Sequence, residues 1–497
     1  MTSITELPNE LTECVASFLS PEDSLALALT CKRVHAALKP TIAFHCRMFK
    51  KYGRFPSDDA IDIWQFTCDI VNDASRAKYI RHLDLKNIHR MYDPSIWPYD
   101  QWNANKMVPH AGVARDLLNA MHRPLPFATN LDAGSVSELC HHSHTSDEIE
   151  SPLDIQVERG YADPVLALLV TVLPEVRTLQ LDSSASMYTS WLQEAFFKIA
   201  SAFTFPSKPP ETLSKLSHFE MEHWDTQNGF EIDWIHFALA IPGIKSIKGV
   251  RACRNYEHTE EKLEPVPSNL SPSLTKLQLE LCNMTSEALA GLLQRTPNLK
   301  QFIYSDGGNL IGDVFSHPRS IAEAVVEHLS GSLEQCVIEY AEDGPCMGNK
   351  DFHDLPPPIS FSHFTRLHSL TCILAVLADV DKVSTLQDDP EARARINEDP
   401  LGMVRRLPST LQSLTLYPPE DGWDGAEDII IELLKNKEKH LPQLHTLRLV
   451  HSLVMGKVET EGASFALCGL EELAQEVGVR GYWCRRMFPS LSEMEWI

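Results

Sequence analysis

The chain holds 12 cysteines among 497 residues but no C-x-x-C pair, and its amino terminus has no basic stretch followed by an apolar run. The first absence removes the paired-cysteine zinc site and the thioredoxin-type redox motif. The second removes the pattern of a secretory signal, so reduced thiols and a cytoplasmic or nuclear location are expected. Long hydrophobic runs are also lacking. The longest clean one, residues 165–173, falls far short of the roughly 20 residues that cross a bilayer, and no membrane contact is expected. Positive charge is scarce: 44 Lys and Arg against 68 Asp and Glu leave a formal net charge of −24. A body of that sign repels phosphate backbones, so no nucleic-acid partner is expected. No Walker loop, G-x-G-x-x-G, G-x-S-x-G or H-E-x-x-H occurs, which leaves nucleotide, serine-hydrolase and zinc-protease chemistry without a motif.

What is present is the composition of a folded protein, 43% hydrophobic and 23% charged, in a chain too long for one ordinary core. Several units or a repeat array are expected. The charge is unevenly spread. Residues 1–50 carry five acids (Glu6, Glu10, Glu13, Glu22, Asp23) and five bases (Lys32, Arg33, Lys39, Arg47, Lys50), so the whole −24 lies downstream.

The first forty residues carry the most specific signal. Leu7-Pro8-Asn9-Glu10-Leu11 opens a segment with apolar residues at Leu7, Leu11, Val15 and Phe18/Leu19, one face of a helix. Ser20-Pro21-Glu22-Asp23 reads as a helix start, with a serine cap, proline at the first helical position and an acid three after the cap. A second stripe follows at Leu27, Cys31, Val34 and Leu38, around the basic pair Lys32-Arg33. This order of residues, over roughly 4–40, closely resembles an F-box. The family often has a tryptophan soon after the basic pair, where Val34-His35 stands here. The resemblance implies docking on the Skp-type linker protein and, through it, on a cullin–RING ligase. It places Leu7, Pro8, Leu11, Val15, Leu19, Leu25 and Leu29 among the residues that build the helices or touch the linker.

Downstream, the pattern Leu-x-x-Leu-x-Leu recurs. It is found at Val176/Leu179/Leu181, Leu216/Phe219/Met221, Leu274/Leu277/Leu279, Leu299/Phe302/Tyr304 and Leu333/Cys336/Ile338. It returns at Leu367/Leu370/Cys372, Leu411/Leu414/Leu416, Leu444/Leu447/Leu449 and Leu491/Met494/Trp496, with weaker copies at Ile80/Leu83/Leu85 and Ile244/Ile247. Each copy predicts a short strand whose alternate residues enter a core, with amphipathic helices between strands at 163–173, 233–240, 285–294, 321–329 and 427–434. The copy at Leu274 adds Cys282 and resembles a cysteine-containing leucine-rich repeat. The fold class expected is therefore α/β, a helical F-box followed by an irregular leucine-rich-repeat-like solenoid. An ordinary α/β sheet with crossover helices is the rival. The expected domains are 1–45 (F-box), 46–78 (helical linker, with Phe44, Met48, Ile63, Phe66 and Ile70 supplying an apolar face) and 79–497 (solenoid). Insertions are expected at about 86–160, 341–360 and 379–400. The terminal motif at 491–496 predicts a closing edge strand, capped by a helix over 470–477 and an aromatic loop at Tyr482-Trp483.

The overall form is similar to the F-box sets of filamentous fungi. The function it implies is that of a non-catalytic substrate adaptor of a Skp–cullin–F-box ubiquitin ligase, with a protein substrate on the repeat body, no catalytic residues and no cofactor. Two alternatives stay open: a scaffold that binds the linker without delivering a substrate, and an enzyme with a site hidden in the 86–160 insertion. Cys140, His141, His142 and His144 supply four potential zinc ligands, but residues this close wrap one tetrahedral ion with difficulty. A polar loop is the favoured reading, and no metal is expected. Trp97, Tyr99 and Trp102 offer either a ligand-contacting surface or side chains that pin a long loop to the body, and pinning is the favoured reading.

Overall fold

A computed structural model of the chain describes residues 7–55, 60–86, 111–123, 157, 162–183, 191–204, 209–223, 229–253, 271–307, 317–340, 357–378, 400–417, 423–452 and 470–486. Trp97, Tyr99 and Trp102, the 140–144 cluster and the terminal motif at 491–496 lie outside the described residues, as does most of the three expected insertions. The chain divides into two units.

The first unit takes the described residues up to 223 together with 233–244. It opens with three helices, α1 (Asn9–Ser17), α2 (Pro21–Ala28) and α3 (Lys32–Tyr52). A short strand β1 (Arg54–Phe55), helix α4 (Ala60–Asn72) and a 3-10 turn (Ala74–Tyr79) lead to β2 (His82–Leu85). Then come α5 (Ala111–Met121), α6 (Asp163–Thr171), β3 (Thr178–Ser183), α7 (Trp191–Ala202), β4 (His218–His223) and α8 (Asp233–Leu239). Strands β1 to β4 pair side by side, all parallel, with Leu83, Leu179 and Phe219 in register. Ile63, Phe66 and Ile70 of α4 are buried as the periodicity predicts, but Phe44 is 46% exposed, outside the expected apolar face. Helix α5 stands inside the 86–160 stretch that shows no repeat. Ala114, Leu117 and Met121 line its buried face at three- and four-residue spacing, and its Val113 carbonyl accepts from the Cys68 thiol of α4.

The second unit takes 229–232, 245–253 and the described residues from 271 onward. Its elements are β5 (Phe230–Glu231), β6 (Ser246–Val250), β7 (Ala252–Cys253), β8 (Lys276–Cys282), α9 (Ser286–Leu293), β9 (Gln301–Asp306), α10 (Pro318–Leu329) and β10 (Gln335–Tyr340). They continue with β11 (Ser369–Ile373), α11 (Leu374–Leu377), α12 (Pro400–Arg406), β12 (Ser413–Tyr417), α13 (Trp423–Lys435), α14 (Lys437–His440), β13 (Thr446–Ser452) and β14 (Arg480–Arg486). Eight strands, β6 and β8 to β14, form one parallel sheet in chain order, while β5 and β7 make a separate parallel pair. Sequential parallel strands with intervening helices make this an α/β body.

The recurring motif forms these strands by a repeated local device. The first residue of each copy sits in a tight turn ahead of the strand and is fully buried: Leu216, Leu274, Leu299, Leu333, Leu367 and Leu411 are all 0% exposed. The turn closes through a main-chain bond three or four residues back, as from Leu299 N–H to Thr296 and from Leu444 N–H to Leu441. The carbonyl of the residue before each strand then accepts two N–H groups from the next copy. Lys300 and Gln301 donate to Thr275, Glu334 and Gln335 to Lys300, His368 and Ser369 to Glu334, Gln412 and Ser413 to His368, and His445 and Thr446 to Gln412, at 2.8–3.3 Å. Arg177 and Thr178 donate to Arg81 in the same way in the first unit. Within the strands, Leu277, Leu279, Leu414, Leu416, Leu447 and Leu449 are all 2% exposed or less, as their alternation predicts. Burying one leucine is worth about 2 kcal/mol, so this column of side chains is a principal source of stability.

Helix α9 begins where expected, with the Thr285 hydroxyl accepting the Ala288 N–H at 3.1 Å. One expectation is corrected. Tyr482 and Trp483 do not lie in a capping loop but within strand β14, which pairs with β13 from Thr446↔Arg480 to Ser452↔Arg486. The register sets Gly481 beside Leu447 and Trp483 beside Leu449. The leucine positions are thus held by glycine and tryptophan, and a leucine motif passes over the strand. Gly478, at φ +72°, ends the helix at 470–476 and turns the chain into β14.

Candidate functional site

The three amino-terminal helices pack by their small residues. Thr12 and Ala16 of α1, Ser24 and Ala28 of α2, and Val34, Ala37 and Leu38 of α3 are buried. The Thr12 hydroxyl donates to the Pro8 carbonyl at 3.2 Å, and the Ser24 hydroxyl crosses to the Ala16 carbonyl at 3.3 Å, so both buried hydroxyls are satisfied. The start of α2 carries the predicted cap: the Asp23 N–H donates to the Ser20 hydroxyl at 3.0 Å, the hydroxyl donates to the Asp23 carboxylate at 2.8 Å, and Pro21 occupies the first turn. Arg33 closes the entry by donating to the Leu7 carbonyl at 3.0 Å.

Because small side chains fill the inside, the large apolar ones face out. Leu11 is 51% exposed, Val15 40%, Phe18 84%, Leu25 47% and Leu29 72%. Leu11, Val15 and Phe18 stand at helical i, i+4, i+7 spacing on one face of α1, and Leu25 and Leu29 at i, i+4 along α2. An isolated helical unit would bury such residues and leave Thr and Ser outside. Exposed apolar side chains concentrated in this way mark a surface meant to be covered. The exposures sort the candidate residues. Pro8, Leu11, Val15, Leu25 and Leu29 are outward, while Leu7 and Leu19 are half-buried. Phe18, which the resemblance passes over in favour of Leu19, is the most exposed large apolar side chain among the described residues. Helical spacing alone admits both: Leu19 continues the four-residue line from Leu7, Leu11 and Val15, and Phe18 stands seven residues from Leu11.

An arginine that the sequence gives no reason to single out ties this face to the sheet of the same unit. Arg81, 8% exposed at the side chain, bonds Glu22 of α2, donates to the Lys78 carbonyl at 2.6 Å and the Ile80 carbonyl at 3.2 Å, and faces Glu175 at 3.6 Å. Its guanidinium lies 5.2 Å from the Phe49 ring centre of α3. Arg177 approaches the same Glu22 at 3.7 Å. Burial disfavours the charge of Glu22, but the Arg81 hydrogen bond and the two guanidinium charges outweigh it and hold its carboxyl below the usual range. Beside this joint, His45 of α3 is buried and its Nδ1 lies 2.7 Å from the Tyr79 hydroxyl, and burial lowers its pKa.

Elsewhere the described residues show no cluster of three or more His, Cys, Asp or Glu side chains arranged to hold a metal. Burial pushes the Cys68 thiol up to about 12 and the Cys253 thiol to about 11, and holds Cys282, Cys336 and Cys372 higher still, so these five make poor nucleophiles. No helix among the described residues is long and apolar enough to cross a membrane.

Comparison with known proteins agrees with the local reading. Residues 4–40 match the F-box domain family. No curated protein matches the chain.

Proposed function

We infer that the chain is the substrate-recognition adaptor of a Skp–cullin–F-box ubiquitin ligase, working in the cytosol or nucleus. An F-box domain implies an adaptor's part in such a ligase, and the observation that carries the reading is the outward apolar face of α1 and α2 within the matched residues 4–40. Pro8, Leu11, Val15, Phe18, Leu25 and Leu29 cover a hydrophobic surface of the Skp-type linker protein, while Leu7 and Leu19 shape the helices beneath. Residues 1–45 form the docking module, 46–78 the helical connection, and 79–497 an irregular leucine-rich-repeat-like body. The recurrence of one turn, one buried leucine and one carbonyl anchor per strand supports the repeat reading over an ordinary crossover sheet. The body holds a protein substrate and the ligase supplies the chemistry, so the rate gain comes from proximity alone.

The test is capture of the linker protein by the full chain and by its Leu11→Asp variant. A carboxylate facing an apolar partner surface without a counter-charge costs a few kcal/mol, and Leu11 is exposed in the free chain, so folding is spared. Loss of capture with an unchanged melting curve is expected. Equal capture by parent and variant would overturn the docking face. Capture of linker without cullin would turn the reading toward a non-degradative scaffold.

A further inference from the structure

On the open face of the second unit's sheet, the rows that cross β11 to β14 present hydroxyls and guanidinium groups. The strand registers align Ser369, Ser413, Thr446 and Arg480 in one row across β11 to β14, and Thr371, Thr415, Arg448 and Tyr482 in the next. Neither row contains a carboxylate. Elsewhere on the open face the charges are used internally: Lys248 pairs with Glu280 at 3.1 Å, and the Glu339 carboxylate accepts the Tyr417 hydroxyl at 2.7 Å. Arg448 and Arg480 differ. Both are exposed, and neither has a carboxylate within salt-bridge distance among the described residues. Arg448 is instead held 5.4 Å from the ring centre of Tyr482, which is 43% exposed. Stacking of this kind orders a guanidinium before a ligand arrives. The Thr371 and Thr415 hydroxyls beside it are half-buried and make no side-chain hydrogen bond among the described residues.

We propose that the β11–β14 face binds an acidic, extended polypeptide segment, with its carboxylates on Arg448 and Arg480 and on the neighbouring threonine hydroxyls. The argument is charge complementarity. A chain of net charge −24 keeps here two guanidinium groups that meet no carboxylate among the described residues, beside threonine hydroxyls on one open surface. Such a surface suits a ligand rich in acceptors, because charge-assisted bonds from Arg to carboxylate are the strong ones available. Crossing from β11 to β14 spans roughly 14 Å at about 4.8 Å per strand, which about four to five extended residues cover. The acidic body disfavours nucleic acid, which carries one charge per about 1.7 Å along its whole length. A short peptide presents only a few charges, and beyond a Debye length of about 8 Å at physiological salt it is screened from the rest of the chain. The inference supplies the substrate class for the adaptor role and rests on that reading only for its biological meaning.

The experiment uses the full chain, purified with the linker protein, and a labelled peptide of alternating Glu and Ser followed by fluorescence anisotropy. The comparisons are the matching Gln–Ser peptide and an oligothymidylate of equal charge. Saturable binding of the Glu peptide is expected, weaker by roughly tenfold or more for the Gln peptide and for the Arg448→Gln/Arg480→Gln variant, since each charged hydrogen bond lost is worth at least a few-fold. The exposed Arg448→Gln single variant, with an intermediate loss, guards against a double variant that fails to fold. No binding of the Glu peptide by the parent, or equal binding by parent and variants, would overturn the proposal. So would tighter binding of the oligothymidylate, which would make the face a nucleic-acid surface. Capture of the linker, measured on the same samples, is independent of these outcomes and reports on the adaptor reading alone.

Discussion

Replacing Arg81 by methionine should loosen the joint between the docking helices and the first sheet while leaving the apolar stem in place. The buried guanidinium gives hydrogen bonds to the Lys78 and Ile80 carbonyls. Each is worth about 1 kcal/mol net, more where the donor is charged. Its place by the Phe49 ring adds about 0.5–1 kcal/mol. The Glu22 pair adds less than its geometry promises, because that carboxylate is 46% exposed and rehydrates once released. Its share is at most about 1 kcal/mol. The whole loss is therefore about 2–4 kcal/mol, a fall in Tm of roughly 4–16 °C for a cooperative unit of some 150–250 residues. Circular dichroism melts of Arg81→Met and Glu22→Gln make the comparison, with the glutamine variant losing less than half as much. An Arg81→Met chain that melts within about 1 °C of the parent would show that the arginine is ornamental and that packing alone joins α2, α3 and the sheet.

Further outcomes follow from the core and from one half-buried histidine. Leu414→Ala should cost about 2–5 kcal/mol by opening a cavity at a fully buried strand position, and a denaturant midpoint unchanged from the parent would contradict that burial. His317 caps α10 by accepting the Arg319 N–H on Nδ1 at 3.1 Å, which requires the neutral ring. Burial, and then the Arg319 charge, lowers its pKa from 6.5 to about 4. The folded pKa lies below the unfolded one, so this contribution is complete above pH 6.5 and is lost as pH falls from 6.5 toward 4, by about 3 kcal/mol at most. His317→Asn keeps an acceptor at the cap and should flatten that part of the stability–pH curve. Equal acid losses in parent and variant would remove His317 from the account.

The strands were legible because leucine marks them twice, once in the turn and once in the strand. Leu274, Leu277 and Leu279 announce β8 in this way, and the same spacing finds β9 to β13. It fails at β14, where Gly481 and Trp483 take the register positions of Leu447 and Leu449. It also fails at two-residue strands such as β1, which offer no period to read. At the docking face the stripe Leu11–Val15–Phe18 was plain, but its direction was not. Periodicity says that apolar residues share a side, and only the buried Thr12, Ala16, Ser24 and Ala28 say that this side is the outer one. Arg81 carried no signal at all, because its partners Glu22, Phe49 and Glu175 are scattered in sequence and meet only in the fold.

The paired N–H bonds to a single carbonyl ahead of each strand have a consequence for how such a chain can change over generations. Thr275, Lys300, Glu334, His368 and Gln412 each pin the next strand at its first residues, before any of its length is committed. What happens between the end of one strand and the next pin is then free of phase. A segment gained or lost there leaves the following leucines pointing inward, whereas a single residue gained between Leu299 and Phe302 would turn a whole strand inside out. Insertions and deletions should therefore accumulate on the side of the body where strands end and be purged where they begin, which is how one body can keep a regular sheet while its connections differ widely in length.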